Sequence, residues 1–330
     1  MVDSPRSNER GAALLTVLLL VAVMAVVAST ALERLALATR MTGTGGSIDQ
    51  ARAFADAGVE IARIRIGDLV AANPGKTTLA GNWMGTAQPI TVPGGMATAR
   101  VTDSGNCFNL NSVVVGENEA NLKVRPVGIL QFQALLQALG VDARQAQVAA
   151  ASLGDWIDTD SVPQPGGAED ESYAQAVRPY RAANRFMIDA SELRAVAGVT
   201  PAIYDVVRPW VCALPTAELS PININTLLPS QAPLFAMLLQ GQISVGQARE
   251  LLARRPVEGY GSTVQFWAPL ARQGISPLHE EVGQQVKLTT GFFGVEVSVD
   301  VGGTEVVEQA LVDARENPAR LIRRSWGAGA

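Results

Sequence analysis

Apolar residues run almost without interruption from residue 12 to residue 32, and no position in that stretch carries a charge. A helix of about 20 such residues crosses a hydrocarbon core of roughly 30 Å. The insertion energy of its Leu, Val and Met side chains comes to roughly −5 kcal/mol. The spacing predicts a helix that continues outward, loosened or kinked at Gly43, Gly45 and Gly46. It resumes with Ile48, Ala51, Ala55, Val59, Ala62 and Ile66 at three- and four-residue steps, one apolar face for burial in a domain.

The texture changes after residue 73. Pro74, Gly75, Gly81 and Gly85 break helix, and strand-like pieces follow at 88–92 and 96–102 around a Pro93-Gly94-Gly95 turn. From about 127 to 267 the pattern is helical. Helices are predicted over 129–139, over 143–157 with Asp142 as cap, from 191 with Asp189 or Ser191 as cap, over 203–211, 229–239 and 245–254. Gly198-Val-Thr-Pro201 between two of these resembles a helix-hairpin-helix turn. Alternation returns with Val295, Val297, Val299 and Val301, then Gly302-Gly303 and a last strand over 304–312.

These elements predict an α+β fold in which a large all-α insertion interrupts a β-sheet behind a long N-terminal helix. The expected parts are a leader at 1–11 and the N-terminal helix at 12–66, with 12–32 in the membrane. Then come the first part of the αβ domain at 67–125 and helical regions at 126–216 and 217–275. Returning strands at 276–315 and a flexible tail at 316–330 complete the chain.

Charge narrows the function classes. The net charge of −5 and the scarcity of Lys disfavour nucleic acid, although the hairpin keeps DNA binding as the alternative from another class. The densest acidic region joins Asp155, Asp158 and Asp160 to Glu169 and Asp170 across a Pro/Gly loop. Clustered carboxylates without His or Cys suit a hard cation such as Ca²⁺, and equally a solvated acidic loop. Neither an EF-hand spacing nor a phosphate-binding glycine loop is present, and an aromatic content of 5% offers no sugar-stacking cleft for a carboxylate pair. No arrangement of Ser, His and Asp suggests an enzyme. The two cysteines, Cys107 and Cys212, are either buried thiols or one disulfide closing a loop of about 105 residues.

The start of the chain has its own signature. A short polar leader ends in Arg10-Gly11, and the apolar run begins at Ala12. That is the pattern of a prepilin leader cut after Gly11; an uncut signal anchor, or a cut after Ala31, are the alternatives. Prepilins carry Glu at the fifth mature position, which here is Thr16. An unpaired carboxylate at that depth costs about 2.5–3.5 kcal/mol, and a filament's first subunit has no neighbour to repay it.

Together the leader junction, Thr16, NLNS (109–112), DWIDTD (155–160), GAEDESY (167–173), RPYRAANR (178–185), SELRAVAGVT (191–200), CALP (212–215) and NINT (223–226) resemble the minor pseudopilin K family of type II secretion. The resemblance covers nearly the whole chain. It implies a pseudopilin αβ domain carrying a sterile-alpha-motif-like (SAM-like) insertion, and a tip complex with minor pseudopilins I and J on a short periplasmic filament. It further implies processing by prepilin peptidase with N-methylation at Ala12, an inner-membrane anchor, and calcium held by acids among Asp155, Asp158, Asp160, Glu169 and Asp170. No catalytic activity is expected.

Overall fold

Helix α1 (Asn8–Ala72) runs unbroken from the apolar segment into the folded domain. At 1.5 Å per residue it is about 97 Å long. The structure, a computed structural model, describes residues 8–327; the first seven residues of the expected leader and the last three of the expected tail lie outside them. The segment Ala12–Thr39, with a mean hydropathy of 2.7, is long and apolar enough to cross a membrane. The helix stays continuous through Gly43, Gly45 and Gly46, the positions of the expected loosening or kink. Each glycine costs a helix only about 1 kcal/mol and removes none of its main-chain hydrogen bonds.

The outer third of α1 buries Ala51, Ala55, Val59, Ala62 and Ile66 against a five-stranded sheet. Its strands are β1 (Gln88–Val92), β2 (Gly95–Asp103), β3 (Phe292–Val301), β4 (Thr304–Asp313) and β5 (Arg320–Trp326), in spatial order β1-β2-β3-β4-β5. Every neighbouring pair is antiparallel. The face toward α1 carries Ala97, Ala99, Val295, Val297, Val299 and Val301 at the two-residue period of a pleated strand. Helix and sheet meet closely at Gly58, where a Cβ would lie 2.9 Å from Val297 Cγ1.

The tail expected to be flexible is corrected. Residues 320–326 form β5, which pairs with β4 from Asp313↔Arg320 to Glu308↔Trp326. The strand is tied to α1 by side chains: Arg324 pairs with both Asp56 and Glu308, and Arg52 lies over the Trp326 ring at 5.5 Å.

Strands β2 and β3 are adjacent in the sheet, Asp103 opposite Phe293, yet residues 104–291 lie between them in the chain. That stretch is the helical insertion. It holds α2 (Pro126–Ala138), α3 (Ala143–Ile157), α4 (Asp170–Ala174), α5 (Pro201–Val207), α6 (Ala232–Ala236), α7 (Val245–Ala253), α8 (Thr263–Ala271) and α9 (Glu280–Gln285). Asp142 caps α3 by accepting the Arg144 and Gln145 N–H groups. The segment expected as a helix from 191 is a 3₁₀ turn, Ala190–Ala195, closed by a capping box between Asp189 and Glu192. One continuous apolar core runs through the insertion, from Phe108 and Phe132 to Leu234, Phe235, Phe266 and Val286. The two helical regions expected at 126–216 and 217–275 therefore share a single interior.

The asparagines of the insertion explain how its irregular backbone stays buried. Asn111 accepts the Met187 N–H at 2.8 Å and donates to the Met187 and Leu214 carbonyls. Asn109 accepts from Leu214 N–H and donates to the Thr216 carbonyl. Such brackets satisfy main-chain groups that no helix or sheet ladder reaches.

Candidate metal centre

Three of the five predicted acids converge. Asp155 and Asp158 lie on the last turn of α3 and just past it, and Glu169 precedes α4. One carboxylate oxygen from each falls within 4.8 Å of the others. All three residues are buried. The three-residue spacing puts the two aspartates on one helix face. The loop between α3 and α4 brings Glu169 back. Its Gln164 N–H donates to both Asp155 oxygens at 3.0 and 3.1 Å. Gly167 permits this return, because a Cβ there would overlap Asp155 Oδ2.

Asp160 and Asp170 face other partners. Asp160 is exposed, and one of its oxygens accepts the Val162 N–H at 2.8 Å. Asp170 accepts the Ala182 N–H at 2.9 Å and lies 3.9 Å from the Arg181 guanidinium.

The electrostatics of the trio are unbalanced. Among the described residues no ion pair joins Asp155, Asp158 or Glu169 to an Arg or Lys. Both oxygens of Asp158 and Oε1 of Glu169 are buried without a hydrogen-bond partner among the described residues. Burial pushes the Asp158 carboxyl up to about 7, and the negative charges of Asp160, Glu169 and Asp155 add to it. Burial likewise raises Glu169 to about 7, reinforced by Asp155 and Asp160. Asp155 rises to about 6, because burial outweighs the N–H donors of Gln164 and Ala168 that pull it down. Buried carboxylates with no cation beside them are costly unless a proton or a metal ion supplies the missing positive charge. The donor set is all oxygen, which fits Ca²⁺ and other hard cations.

The surroundings contain residues that periodicity does not reveal. Trp156 packs edge-on against Tyr173, with ring centroids 5.1 Å apart, and near Tyr180 at 6.1 Å. The Trp156 carbonyl accepts the Asn184 N–H at 3.0 Å. Asn184 has a left-handed backbone (φ 48°), and its side-chain oxygen is buried without a partner among the described residues. The only sequence signal for this residue is its place in the RPYRAANR stretch.

Cys107 and Cys212 are joined by a disulfide, with Cα atoms 5.9 Å apart. Cys107 precedes and Cys212 belongs to a short parallel bridge in which Phe108 pairs with Val211 and Asn109 with Cys212. Both cysteines pack against Phe292 and Leu311 of the sheet. Gly11 and Ala12 lie within α1, so the structure presents the expected cleavage junction as helix.

Comparison with known proteins agrees along the whole length. A family profile described as type II secretion system protein K matches residues 106–216, and a second of the same description matches 222–289. The type II secretion system protein K of Pectobacterium carotovorum is 35% identical over 98% of both chains, and that of Klebsiella pneumoniae is 37% identical over 97% of both. Among solved structures, a chain in the crystal structure of the GspK–GspI–GspJ complex from enterotoxigenic Escherichia coli superposes with a TM-score of 0.75 at 26% identity. The match covers 87% of this chain and 99% of that one. The DNA-binding alternative finds no support among these relatives. The chain belongs to the type II secretion system protein K family.

Proposed function

We propose that this protein is the tip subunit of a type II secretion pseudopilus and assembles there with the minor pseudopilins I and J of its own system. The observation that carries this is the likeness, over nearly the full chain, to a chain from the GspK–GspI–GspJ complex. The physical features agree with a capping role. The segment Ala12–Thr39 anchors the subunit, and the outer part of α1 packs on the sheet. Thr16 donates its hydroxyl to the Ala13 carbonyl, so the position is satisfied within its own helix and needs no neighbouring subunit. The insertion between β2 and β3 adds a bulk that blocks stacking above it.

In this role prepilin peptidase cuts after Gly11, Ala12 becomes the methylated N-terminus, and the anchor sits in the inner membrane with the remainder in the periplasm. The helical insertion, with its turn at Gly198 to Pro201, is a SAM-like unit. Asp155, Asp158 and Glu169 hold a calcium ion, with Asp160 and Asp170 adding negative charge around it. The ion supplies the positive charge that three buried carboxylates lack, and it ties the end of α3 to the loop before α4. The subunit performs no catalysis.

The test is co-expression of the full chain with the minor pseudopilins I and J of the same system, followed by native mass spectrometry in detergent. A three-subunit complex is expected. Recovery of this chain alone, with I and J folded and present, would overturn the assignment.

A further inference from the structure

We propose that Asn184 is a further ligand of the cation held by Asp155, Asp158 and Glu169, contributing its side-chain carbonyl oxygen; this inference rests on the calcium assignment above. Three observations place it there. The segment containing Asn184 is bonded to chain neighbours of the cluster on two elements: Ala182 N–H donates to Asp170, which follows Glu169, and Asn184 N–H donates to the carbonyl of Trp156, which lies between Asp155 and Asp158 in the chain. The Asn184 side-chain oxygen is buried and unpartnered, as are both oxygens of Asp158 and one of Glu169. A buried amide carbonyl with no donor is costly, so it needs a positive group that supplies what a hydrogen bond would.

The backbone gives the third. Asn184 is held at φ 48°, a conformation that disfavours most side chains and that Asn tolerates better than most. Strain of this kind persists where the surroundings fix it, and it concentrates at ligand-holding positions.

The chemistry is consistent with the count. A calcium ion takes six to eight oxygens. Both Asp155 oxygens already accept the Gln164 N–H, so the wholly uncommitted carboxylate oxygens are the two of Asp158 and one of Glu169. A neutral oxygen raises the ligand number without adding a fourth negative charge to a buried site.

The experiment is isothermal titration of calcium chloride into the detergent-solubilised full chain after chelator treatment. Wild type is compared with Asn184→Gly, Asn184→Asp and, as a control, Asn82→Gly. Glycine accepts the left-handed backbone and deletes only the side chain; Asn82 is another left-handed asparagine (φ 53°), outside the helical insertion. Asn184→Gly is expected to weaken calcium binding about tenfold, the size of one lost charge-assisted contact. Asn184→Asp, which restores an oxygen at the same place, should recover the affinity, and Asn82→Gly should leave it unchanged. Wild-type binding with an unaltered Asn184→Gly would overturn the role of Asn184 and leave the three-carboxylate site standing. Failure of Asn184→Asp to recover affinity would also overturn it. Absence of calcium binding by wild type would remove the calcium assignment and this ligand together.

Discussion

Asp103, the last residue of β2, accepts the hydroxyl proton of Thr226, a residue 123 positions further along the chain. The same carboxylate accepts from the Thr290 hydroxyl and from the N–H groups of Gly105 and Asn106. Thr226 belongs to the insertion, and Thr290 leads back into β3. One buried side chain thus joins the point where the chain leaves the sheet, the body of the insertion and the point of return. Asp103→Ala removes the acceptor of the Thr290 hydroxyl and of two amides, and leaves the Thr226 hydroxyl only the Asn223 carbonyl at 3.2 Å. A loss of about 3 kcal/mol in chemical denaturation is expected, with the insertion unfolding at lower denaturant than the sheet. An unchanged midpoint would show that the network is dispensable.

The acid cluster makes stability depend on pH in an unusual direction. In chelator, Asp155 titrates at about 6 and Asp158 and Glu169 at about 7, all above their ordinary range near 4. A raised folded-state value gives a contribution that is fully present below about pH 4 and is lost as the pH climbs through 6 and 7. Chelated protein should therefore melt at lower temperature at about pH 8 than at about pH 5. Asp158→Asn should flatten that slope. Scanning calorimetry with and without chelator reads both.

Calcium should reverse the effect at the alkaline end. A ligand present at about a hundred times its dissociation constant stabilises the folded state by about 2.7 kcal/mol. For a chain of this size that is an upward shift of several degrees in Tm at about pH 8. Magnesium, which prefers octahedral geometry and keeps its waters, should shift it less. Equal Tm values in calcium and in chelator would count against any cation at the cluster.

Strand β5 depends on Arg324. The Glu308 side chain is fully buried, and Arg324 is its cationic partner while also reaching Asp56 on α1. Arg324→Ala leaves a buried carboxylate unpaired and should cost about 2–3 kcal/mol. Arg324→Ala combined with Glu308→Gln should recover much of that loss, because the stranded charge is gone. Urea denaturation of the four proteins, as a double-mutant cycle, measures the coupling.

The disulfide constrains a long stretch of chain. Cys107 and Cys212 are 105 residues apart, and a loop of that length is worth up to about 4.7 kcal/mol in the chain-entropy model. Replacing both cysteines with serine should lower the unfolding midpoint while leaving the β2–β3 register intact. Amide exchange in the sheet compared with residues 104–291 separates the two outcomes.

Much of this architecture was legible in the pattern of residues. The two-residue period of Val295 to Val301 and the three- and four-residue steps of Ala51 to Ile66 each describe one buried face, and the structure packs those faces on one another. Helix α3 begins one residue after the Asp that caps it, because that Asp side chain holds the first free N–H groups. Strand β5 escaped notice because Arg320, Arg323 and Arg324 hide its alternation. They lie in the strand because Arg324 meets Asp56 and Glu308, partners no local window contains. The pairing of Asp155 with Asp158 follows from helical spacing alone. The inclusion of Glu169 and the outward turn of Asp160 and Asp170 depend on a loop whose course is set by single hydrogen bonds from Gln164, Val162 and Ala182.

The insertion also dictates an order of events at synthesis. Strand β2 emerges early, but its neighbour β3 follows only after residues 104–291 have been made. Until then β2 presents an unpaired edge, the kind of surface that invites pairing with another chain. The sheet is therefore the last part of the molecule to close. Residues 104–291 must bring the two ends together before β3 can dock.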